Sequence, residues 1–153
     1  MRMKQWRGGL AAIAILIAGG CSEGPSPMSL GVNQGQLAPC PDSPNCVSSQ
    51  AADENRWVHP LRYQGERARA RAQLLAVLDG MDRVEIVQAD ENYIHAQFRS
   101  AVFGFVDDVE FLFDPPGFIQ VRSAARIGYY DFGVNRERVE RIRVRFAEAM
   151  EES

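Results

Sequence analysis

An arginine-rich segment between Arg122 and Arg138 contains the residues whose chemistry is easiest to interpret. Guanidinium groups form planar, bidentate hydrogen bonds with carboxylates and phosphates, and the backbone N–H groups of a helix N-terminus add further donors. This composition is typical of a site that holds an anionic group. The candidate ligand-binding residues are Arg122, Ser123, Arg126, Asp131, Asn135 and Arg136.

Nearby acidic residues offer these arginines a structural role instead. Asp107, Asp108 and Glu110 lie in one segment, and the alternation of a strand places Asp107 on the opposite face from the other two. Two carboxylates are a poor ligand set for calcium, which takes about six or more oxygens. We therefore expect no metal site and no cofactor. The sequence leaves open whether the arginines form a structural ion network or an anion pocket.

Catalysis is the alternative function for this region. His95 is a candidate general base and Ser123 a candidate nucleophile, with Arg126 and Asp131 as charged partners. Ser123 does not lie in the Gly-x-Ser-x-Gly turn that exposes the nucleophile of many hydrolases. We therefore favour a non-enzymatic binding or structural module. The alternative is a small periplasmic hydrolase that uses Asp131, Arg126 and His95 or Ser123.

Hydrophobic periodicity predicts the elements that position these residues. Apolar residues at helical spacing predict helices over 66–78 and 135–150, with Asn135 as the N-cap of the second. Short connections between four strand-like runs predict an antiparallel meander. The strands are expected over 83–89, 93–100, 105–113 and 118–124. The fold class is α+β in the order α-β-β-β-β-α, with the helices packed on one face of the sheet.

Strand alternation predicts one apolar and one polar face of the sheet. A hairpin around Pro115 and Pro116 would bring Glu110 near Arg122 on the polar face. That face is either solvated or covered by the Cys40–Tyr63 segment, which we expect to be mostly irregular or extended. The predicted helix stripes are Ala68, Ala72, Leu75 and Leu78, then Val139, Ile142, Phe146 and Ala149. Core or lid packing is expected for Trp57, Phe103, Phe105, Tyr129 and Tyr130.

The first residues of the chain predict export. Positive residues precede a short apolar run over 10–18, which ends in Gly19-Gly20-Cys21. Charge, length and small residues are typical of a signal peptide, and the cysteine makes the segment resemble a bacterial lipobox. We expect residues 1–20 to be a lipoprotein signal peptide, with Cys21 lipidated by fatty acyl chains such as palmitate. Residues 21–39 would be a flexible tether, and residues 40–153 a single globular domain.

The remaining cysteines agree with an oxidising compartment. Cys40 and Cys46 flank a loop of turn-forming residues, which favours a disulfide between them. A lipid anchor makes the membrane the expected partner. Stable anchoring needs at least two signals, and the acyl chains of a bacterial lipoprotein would supply them. Ser22 follows Cys21 where inner-membrane lipoproteins typically carry Asp. We therefore expect the protein to face the periplasm from the outer membrane.

The charge balance excludes one large class of partner. The chain has 17 basic and 20 acidic residues. Removal of residues 1–20 takes away three basic residues and leaves a net charge of −6. A nucleic-acid binder needs a basic field, so nucleic acid is not expected as a partner. The same net charge argues against adhesion to anionic lipid by charge alone. The remaining candidates are a small anionic ligand and an envelope protein.

Three stretches resemble the domain of unknown function 1499 family: CPDSPNCVSS over Cys40–Ser49, FGFVDDVEF over Phe103–Phe111, and RSAARIGYYDFGVNRERVE over Arg122–Glu140. The resemblance covers nearly all of Leu37–Phe146. One departure is Ala125, which stands where the family pattern implies a second serine. The resemblance implies a shared fold but brings no established activity with it.

Overall fold

The computed structural model describes residues 29–152. The predicted signal peptide, Cys21 and the tether as far as residue 28 lie outside the described residues. Two helices and eight strands make up the described chain. The strands are β1 (Val32–Asn33), β2 (Gln36–Leu37), β3 (Cys46–Ser48), β4 (Leu61–Arg62), β5 (Val84–Ala89), β6 (Tyr93–Arg99), β7 (Val106–Leu112) and β8 (Phe118–Ala125). The helices are α1 (Arg67–Asp79), between β4 and β5, and α2 (Val134–Glu152), after β8. The predicted α+β class is confirmed.

The centre of the sheet is the predicted antiparallel meander. The strand order β5-β6-β7-β8 follows the chain, and each pair is antiparallel. Turns of a few residues connect the strands, and such short links can join only antiparallel neighbours. The register places Glu110 directly opposite Arg122, as the predicted hairpin around Pro115 and Pro116 requires.

Short strands outside the meander extend the sheet at its β8 edge. β3 pairs with β8 through residues 122–124, and β4 pairs with β8 through residues 118–119. The segment after Cys46 was expected to be mostly irregular or extended, and its extended portions are thus part of the sheet. The predicted disulfide between Cys40 and Cys46 is confirmed, with a Cα–Cα distance of 5.6 Å.

Both helices pack on one face of the sheet, as predicted. Ala70, Leu74 and Leu78 of α1 are buried there, with Val139, Ile142 and Phe146 of α2. The stripe predicted for α2 is therefore confirmed except at its last, partly buried position. The stripe predicted for α1 is wrong for its two alanines: Ala68 and Ala72 are exposed. Alanine occurs at every second position early in this helix, so its spacing alone does not fix the buried side.

A β-hairpin near the start of the described chain covers part of the polar face. β1 and β2 pair with each other, and β2 lies against β7 and β8. Leu37 packs with Tyr93 and Leu112 in a small apolar cluster. The glycine-rich composition of residues 22–39 gave no indication of this hairpin. In the described range, no helix is long and apolar enough to cross a bilayer.

Candidate functional site

Strand β8 divides the predicted site residues between the two faces of the sheet. Successive side chains of a strand point to opposite faces. Arg122 and Arg126 therefore lie on the polar face, with Asp108 and Glu110 of β7. Ser123 lies on the face covered by α2, where its partner is Asn135. The structure does not bring the predicted ligand-binding residues to one point.

A buried ion pair occupies the middle of the polar face. Arg122 Nη1 donates to Glu110 Oε2 at 2.8 Å, and both residues are 0% exposed. The other carboxylate oxygen, Oε1, accepts from the Tyr93 hydroxyl at 2.7 Å and from the Gly31 backbone N–H at 2.6 Å. Arg122 Nε and Nη2 have no hydrogen-bond partner in the described structure. Such orphaned donors lower the net value of a buried ion pair.

Burial dominates the titration of the tyrosine in this cluster. It raises the pKa of Tyr93 far above its usual value, and the hydrogen bond to Glu110 and the charge of that carboxylate add to the increase. Tyr93 therefore stays protonated and acts as a donor to Glu110.

A second cluster on the polar face joins Asp108, His95 and Arg126. Arg126 binds Asp108 in a bidentate manner, with Nε to Oδ2 at 2.7 Å and Nη2 to Oδ1 at 2.9 Å. His95 Nε2 lies 2.7 Å from Asp108 Oδ1. The Arg126–Asp108 pair is one of the arginine–carboxylate contacts that the structural alternative allowed, although Asp131 is the acid nearest to Arg126 along the chain.

The two partners make Asp108 a strong acid despite its burial. Burial by itself raises the pKa of Asp108, but the hydrogen bonds from Arg126 and His95 outweigh it and lower the pKa to about 2. The hydrogen bond to Asp108 in turn raises the pKa of Arg126. An ionised carboxylate can only accept, so His95 donates its Nε2 proton to Asp108. This nitrogen is consequently not free to act as the general base of the hydrolase alternative.

The network on the opposite face centres on Asn135. The Ser123 hydroxyl donates to Asn135 Oδ1 at 2.5 Å, and Arg138 Nη1 donates to the same oxygen at 2.7 Å. Arg138 Nη2 also binds Asp107 Oδ2. Burial raises the pKa of Asp107, although the charge and hydrogen bond of Arg138 oppose this change. Ser123 is 0% exposed, and its hydroxyl is held by structural partners rather than open to a substrate.

Asp131, not Asn135, caps the start of α2. Asp131 Oδ2 accepts the Asn135 backbone N–H at 2.8 Å, and Oδ1 accepts the Gly133 N–H at 3.1 Å. The N-cap role predicted for Asn135 is wrong, because the helix already begins at Val134 and Asn135 is fully buried within its first turn. The amide of Asn135 instead donates to the backbone carbonyl of Asn45 at 3.1 Å, which connects α2 to the disulfide segment.

Arg136 also makes structural contacts. Its Nη1 donates to the Trp57 carbonyl at 2.8 Å and its Nη2 to the Asn55 carbonyl at 2.7 Å. Arg136 therefore fastens α2 to the loop that follows β3. All three arginines predicted to bind a ligand, Arg122, Arg126 and Arg136, thus have partners within the protein itself.

A separate cleft contains the arginines that sequence reasoning did not select. It has a volume of about 250 Å³ and lies between α2, the start of β5 and the end of β6. Its basic lining residues are Arg83, Arg99, Arg138, Arg141 and Arg145, against two carboxylates, Asp82 and Asp107. We call it the arginine cleft. The helical spacing of Arg138, Arg141 and Arg145, at i, i+3 and i+7, is the signal that would have identified one wall of it.

Several aromatic residues near the cleft are exposed. Phe103 is 75% exposed, Tyr130 65% and Phe132 94%. Core packing is therefore wrong for Phe103, Phe105, Tyr129 and Tyr130, four of the five aromatic residues expected in the core or in a lid. The fifth, Trp57, is 37% exposed and its ring meets His59 edge-on at 4.4 Å. The four residues lie in the loops that connect β6 to β7 and β8 to α2.

The described geometry is a scaffold of ion networks rather than an arrangement of catalytic groups. His95 and Arg126 share Asp108 on one face, whereas Ser123 and Asp131 lie with Asn135 on the other. These four residues therefore cannot act on one substrate atom in this conformation. Among residues 29–152, no group of three or more His, Cys, Asp or Glu side chains is placed to hold a metal ion.

Fold and site together define a small, disulfide-bonded α+β domain whose sheet carries buried arginine–carboxylate networks. A family model described as a protein of unknown function, DUF1499, matches residues 36–146. The chain belongs to this DUF1499 family. A search of curated proteins found no match.

Proposed function

We propose that this protein is an exported, lipid-anchored envelope protein that binds an anionic group in the arginine cleft without catalysing a reaction. The lipid anchor would be at Cys21, on the periplasmic face of the outer membrane. This ligand site differs from the one predicted from the sequence, because its arginines are those that line the cleft. Arg138, the last residue of the predicted Arg122–Arg138 segment, is one of them.

The excess of positive charge in the cleft is the observation that carries the binding proposal. Five arginines and two aspartates are among the lining residues. Arg138 is paired with Asp107, and Arg99 makes a long, exposed contact with Glu85 at 3.3 Å. Arg141 and Arg145 form no ion pair with any described residue. Unpaired guanidinium groups at one cleft favour a carboxylate or phosphate, which they can bind in bidentate geometry.

The disulfide supports export. Disulfides persist in oxidising compartments and are rare in the bacterial cytosol. The Cys40–Cys46 disulfide is part of the fold, since Cys46 is the first residue of β3. The anchor itself is tested by growing cells with labelled fatty acid. Label should appear on the wild-type protein and be lost in Cys21→Ser. An unlabelled wild-type protein recovered from the soluble periplasm would reject the anchor and leave secretion.

The binding site is tested by thermal unfolding with inorganic phosphate as the probe. A ligand that binds only the folded state stabilises it by mass action, by about 2.7 kcal/mol when its concentration is about 100 times Kd. Phosphate should therefore raise the Tm of the wild-type protein. The effect should disappear in Arg141→Gln/Arg145→Gln, whose exposed side chains make no contact needed for folding.

A matched control separates binding in the cleft from a general effect of charge. Arg67→Gln/Arg143→Gln removes the same number of positive charges at positions that do not line the cleft. This control should respond to phosphate as the wild-type protein does. Equal responses in all three proteins, or no response in any of them, would reject the arginine cleft as the binding site.

A further inference from the structure

Two neighbouring loops expose apolar side chains at one end of the sheet. One connects β6 to β7, and the other connects β8 to α2. They are adjacent because the Arg126 backbone N–H donates to the Val106 carbonyl at 3.1 Å, which holds the start of β7 beside the end of β8. We call this surface the aromatic end. Its exposed residues are Val102, Phe103, Phe105, Ile127, Tyr129, Tyr130, Phe132 and Val134.

Aromatic side chains contact each other within each of the two loops and remain exposed. Phe103 stacks on Phe105 with centroids 5.4 Å apart, and Tyr129 meets Tyr130 edge-on at 4.8 Å. A contiguous apolar patch is uncommon on a soluble monomer and marks a surface that contacts a partner or a membrane. Phenylalanine with tyrosine suits a membrane interface, where the ring enters the apolar region and the hydroxyl stays hydrated.

The most exposed of these residues is held in a strained backbone conformation. Phe132 has φ of 54° and is 94% exposed. A bulky side chain in the left-handed region is an outlier that glycine would relieve. Such strain persists where the surroundings impose it, and it is found preferentially at functional positions. The fold therefore presents this ring to the exterior at a cost in stability, which needs an explanation other than packing.

Positive charge lies directly beside the aromatic end. Ser100 and Ala101 of the first loop and Val134, at the end of the second, are lining residues of the arginine cleft. The net negative charge of the chain conceals this local excess of arginine. A rim of arginines next to exposed aromatic rings matches a surface whose negative headgroups cover an apolar interior, and this is the surface of an anionic bilayer.

The first residues of the described chain lie beside β7, the strand that begins at the aromatic end. The turn of the β1–β2 hairpin lies near Asp114, where a Cβ on Gly35 would be 4.0 Å from Asp114 Oδ2. Gly31 reaches Glu110 with its N–H. Followed backwards, the hairpin thus runs along β7 towards Val106. Seven residues separate Ser29 from Cys21, and the eight Cα–Cα steps between them span at most about 29 Å when fully extended.

We propose that the aromatic end is a membrane-contact surface, which places its aromatic rings among the headgroups of an anionic phospholipid bilayer while the arginine cleft binds the lipid phosphates. This inference rests on the proposed function in one respect, since it identifies the anionic group of the cleft as a phospholipid headgroup. The acyl anchor would keep the domain near the bilayer, and the aromatic end would set its orientation there.

An environment-sensitive fluorophore reports this contact in the full-length protein. Phe132→Cys labelled with a nitrobenzoxadiazole dye is compared with labelled Glu91→Cys, which lies in the β5–β6 turn at the opposite end of the sheet. Each protein is purified in detergent and reconstituted into vesicles of phosphatidylethanolamine with phosphatidylglycerol, or of phosphatidylcholine alone. We expect a blue shift and brighter emission at position 132 in the anionic vesicles only, and no change at position 91.

The arginine variants test the role of charge in the same assay. Arg141→Gln/Arg145→Gln should abolish the shift at position 132, whereas Arg67→Gln/Arg143→Gln should preserve it. Identical emission from positions 132 and 91 in anionic vesicles would overturn the proposal. A shift that appears in neutral vesicles and grows with protein density would also overturn it, since this result indicates contact with a second copy of the chain.

The two proposals can fail separately. If phosphate stabilises the wild-type protein but position 132 shows no shift, the arginine cleft remains an anion site and the membrane contact is rejected. If position 132 shifts in anionic vesicles but phosphate has no effect on Tm, the membrane contact remains and the cleft is rejected as a phosphate site.

Discussion

The buried pair of Arg122 and Glu110 allows the sharpest test of the structure. Arg122→Met removes the only donor to Glu110 Oε2 among the described residues, and leaves two donors on Oε1. Breaking a buried pair by removing one partner costs about 3–5 kcal/mol. We expect a value near the lower limit, because Arg122 also takes two unpartnered buried nitrogens with it. Such orphaned donors cost about 1–3 kcal/mol each in desolvation.

Replacing the acidic partner, Glu110, should cost more stability than replacing Arg122. Glu110→Gln keeps an acceptor for Tyr93 and Gly31 but leaves the Arg122 guanidinium buried without a counter-charge, so we expect about 5 kcal/mol of destabilisation. Arg122→Met/Glu110→Gln removes both charges and retains the acceptor. The double variant should therefore be more stable than either single variant. If the two substitutions acted independently, their free-energy costs would add and the double variant would be the least stable of the three.

Urea denaturation at neutral pH measures these differences. With an m value of about 2 kcal/mol/M, a loss of 3 kcal/mol lowers the midpoint by about 1.5 M. Arg99→Met is the matched control, because its contact with Glu85 is largely exposed and should contribute less than about 1 kcal/mol. If the double variant is less stable than either single variant, Arg122 and Glu110 do not act as one buried charge pair.

Three further predictions concern other parts of the domain. The pKa of Asp108 is lowered from 3.8 to about 2, so ionised Asp108 stabilises the fold above about pH 4 and this stabilisation is lost as the pH falls from about 4 to about 2. Arg126→Gln should cost about 1–2 kcal/mol at pH 7, and its Tm difference from wild type should shrink across this pH window. A constant Tm difference would contradict the pairing of Arg126 with Asp108. Phe132→Gly should raise stability by at most about 1 kcal/mol in urea denaturation by relieving the positive φ, and a destabilised variant would show that Phe132 packs instead. Reduction of the Cys40–Cys46 disulfide, which spans six residues, should cost about 2 kcal/mol, and unfolding on reduction alone would show a larger role for the bond.

The sequence predicts most of the fold because its elements are regular. Alternation along β6 and through most of β7 and β8 separates apolar from polar residues, and short turns leave an antiparallel meander as the simplest arrangement. β3 and β4 were harder to foresee because each has only two or three residues. They are strands by virtue of pairing with β8, which no local pattern reveals. The β1–β2 hairpin is equally short, and tertiary contact stabilises it.

The sequence predicts the site less well, because ion pairing depends on register. The proximity of Glu110 and Arg122 followed from one hairpin and was predicted. Arg126 reaches Asp108 diagonally across β7 and β8, and Arg136 reaches carbonyls of a distant loop. Neither contact has a local signature. The arginine cleft combines α2 with the ends of β5 and β6, so the sequence could identify its helical wall but not the strand residues that complete it.

Binding of an anion in the arginine cleft is the central property proposed for this protein. Two-dimensional amide NMR of the protein, titrated with inorganic phosphate, locates the binding site residue by residue. We expect saturable shifts of the amide signals at residues 99–101 and 138–145, which line the cleft or lie beside it. These shifts should vanish in Arg141→Gln/Arg145→Gln and persist in Arg67→Gln/Arg143→Gln. Absence of shifts, or shifts at Arg122 and Arg126 instead of the cleft, would show that the arginine cleft is not the anion site.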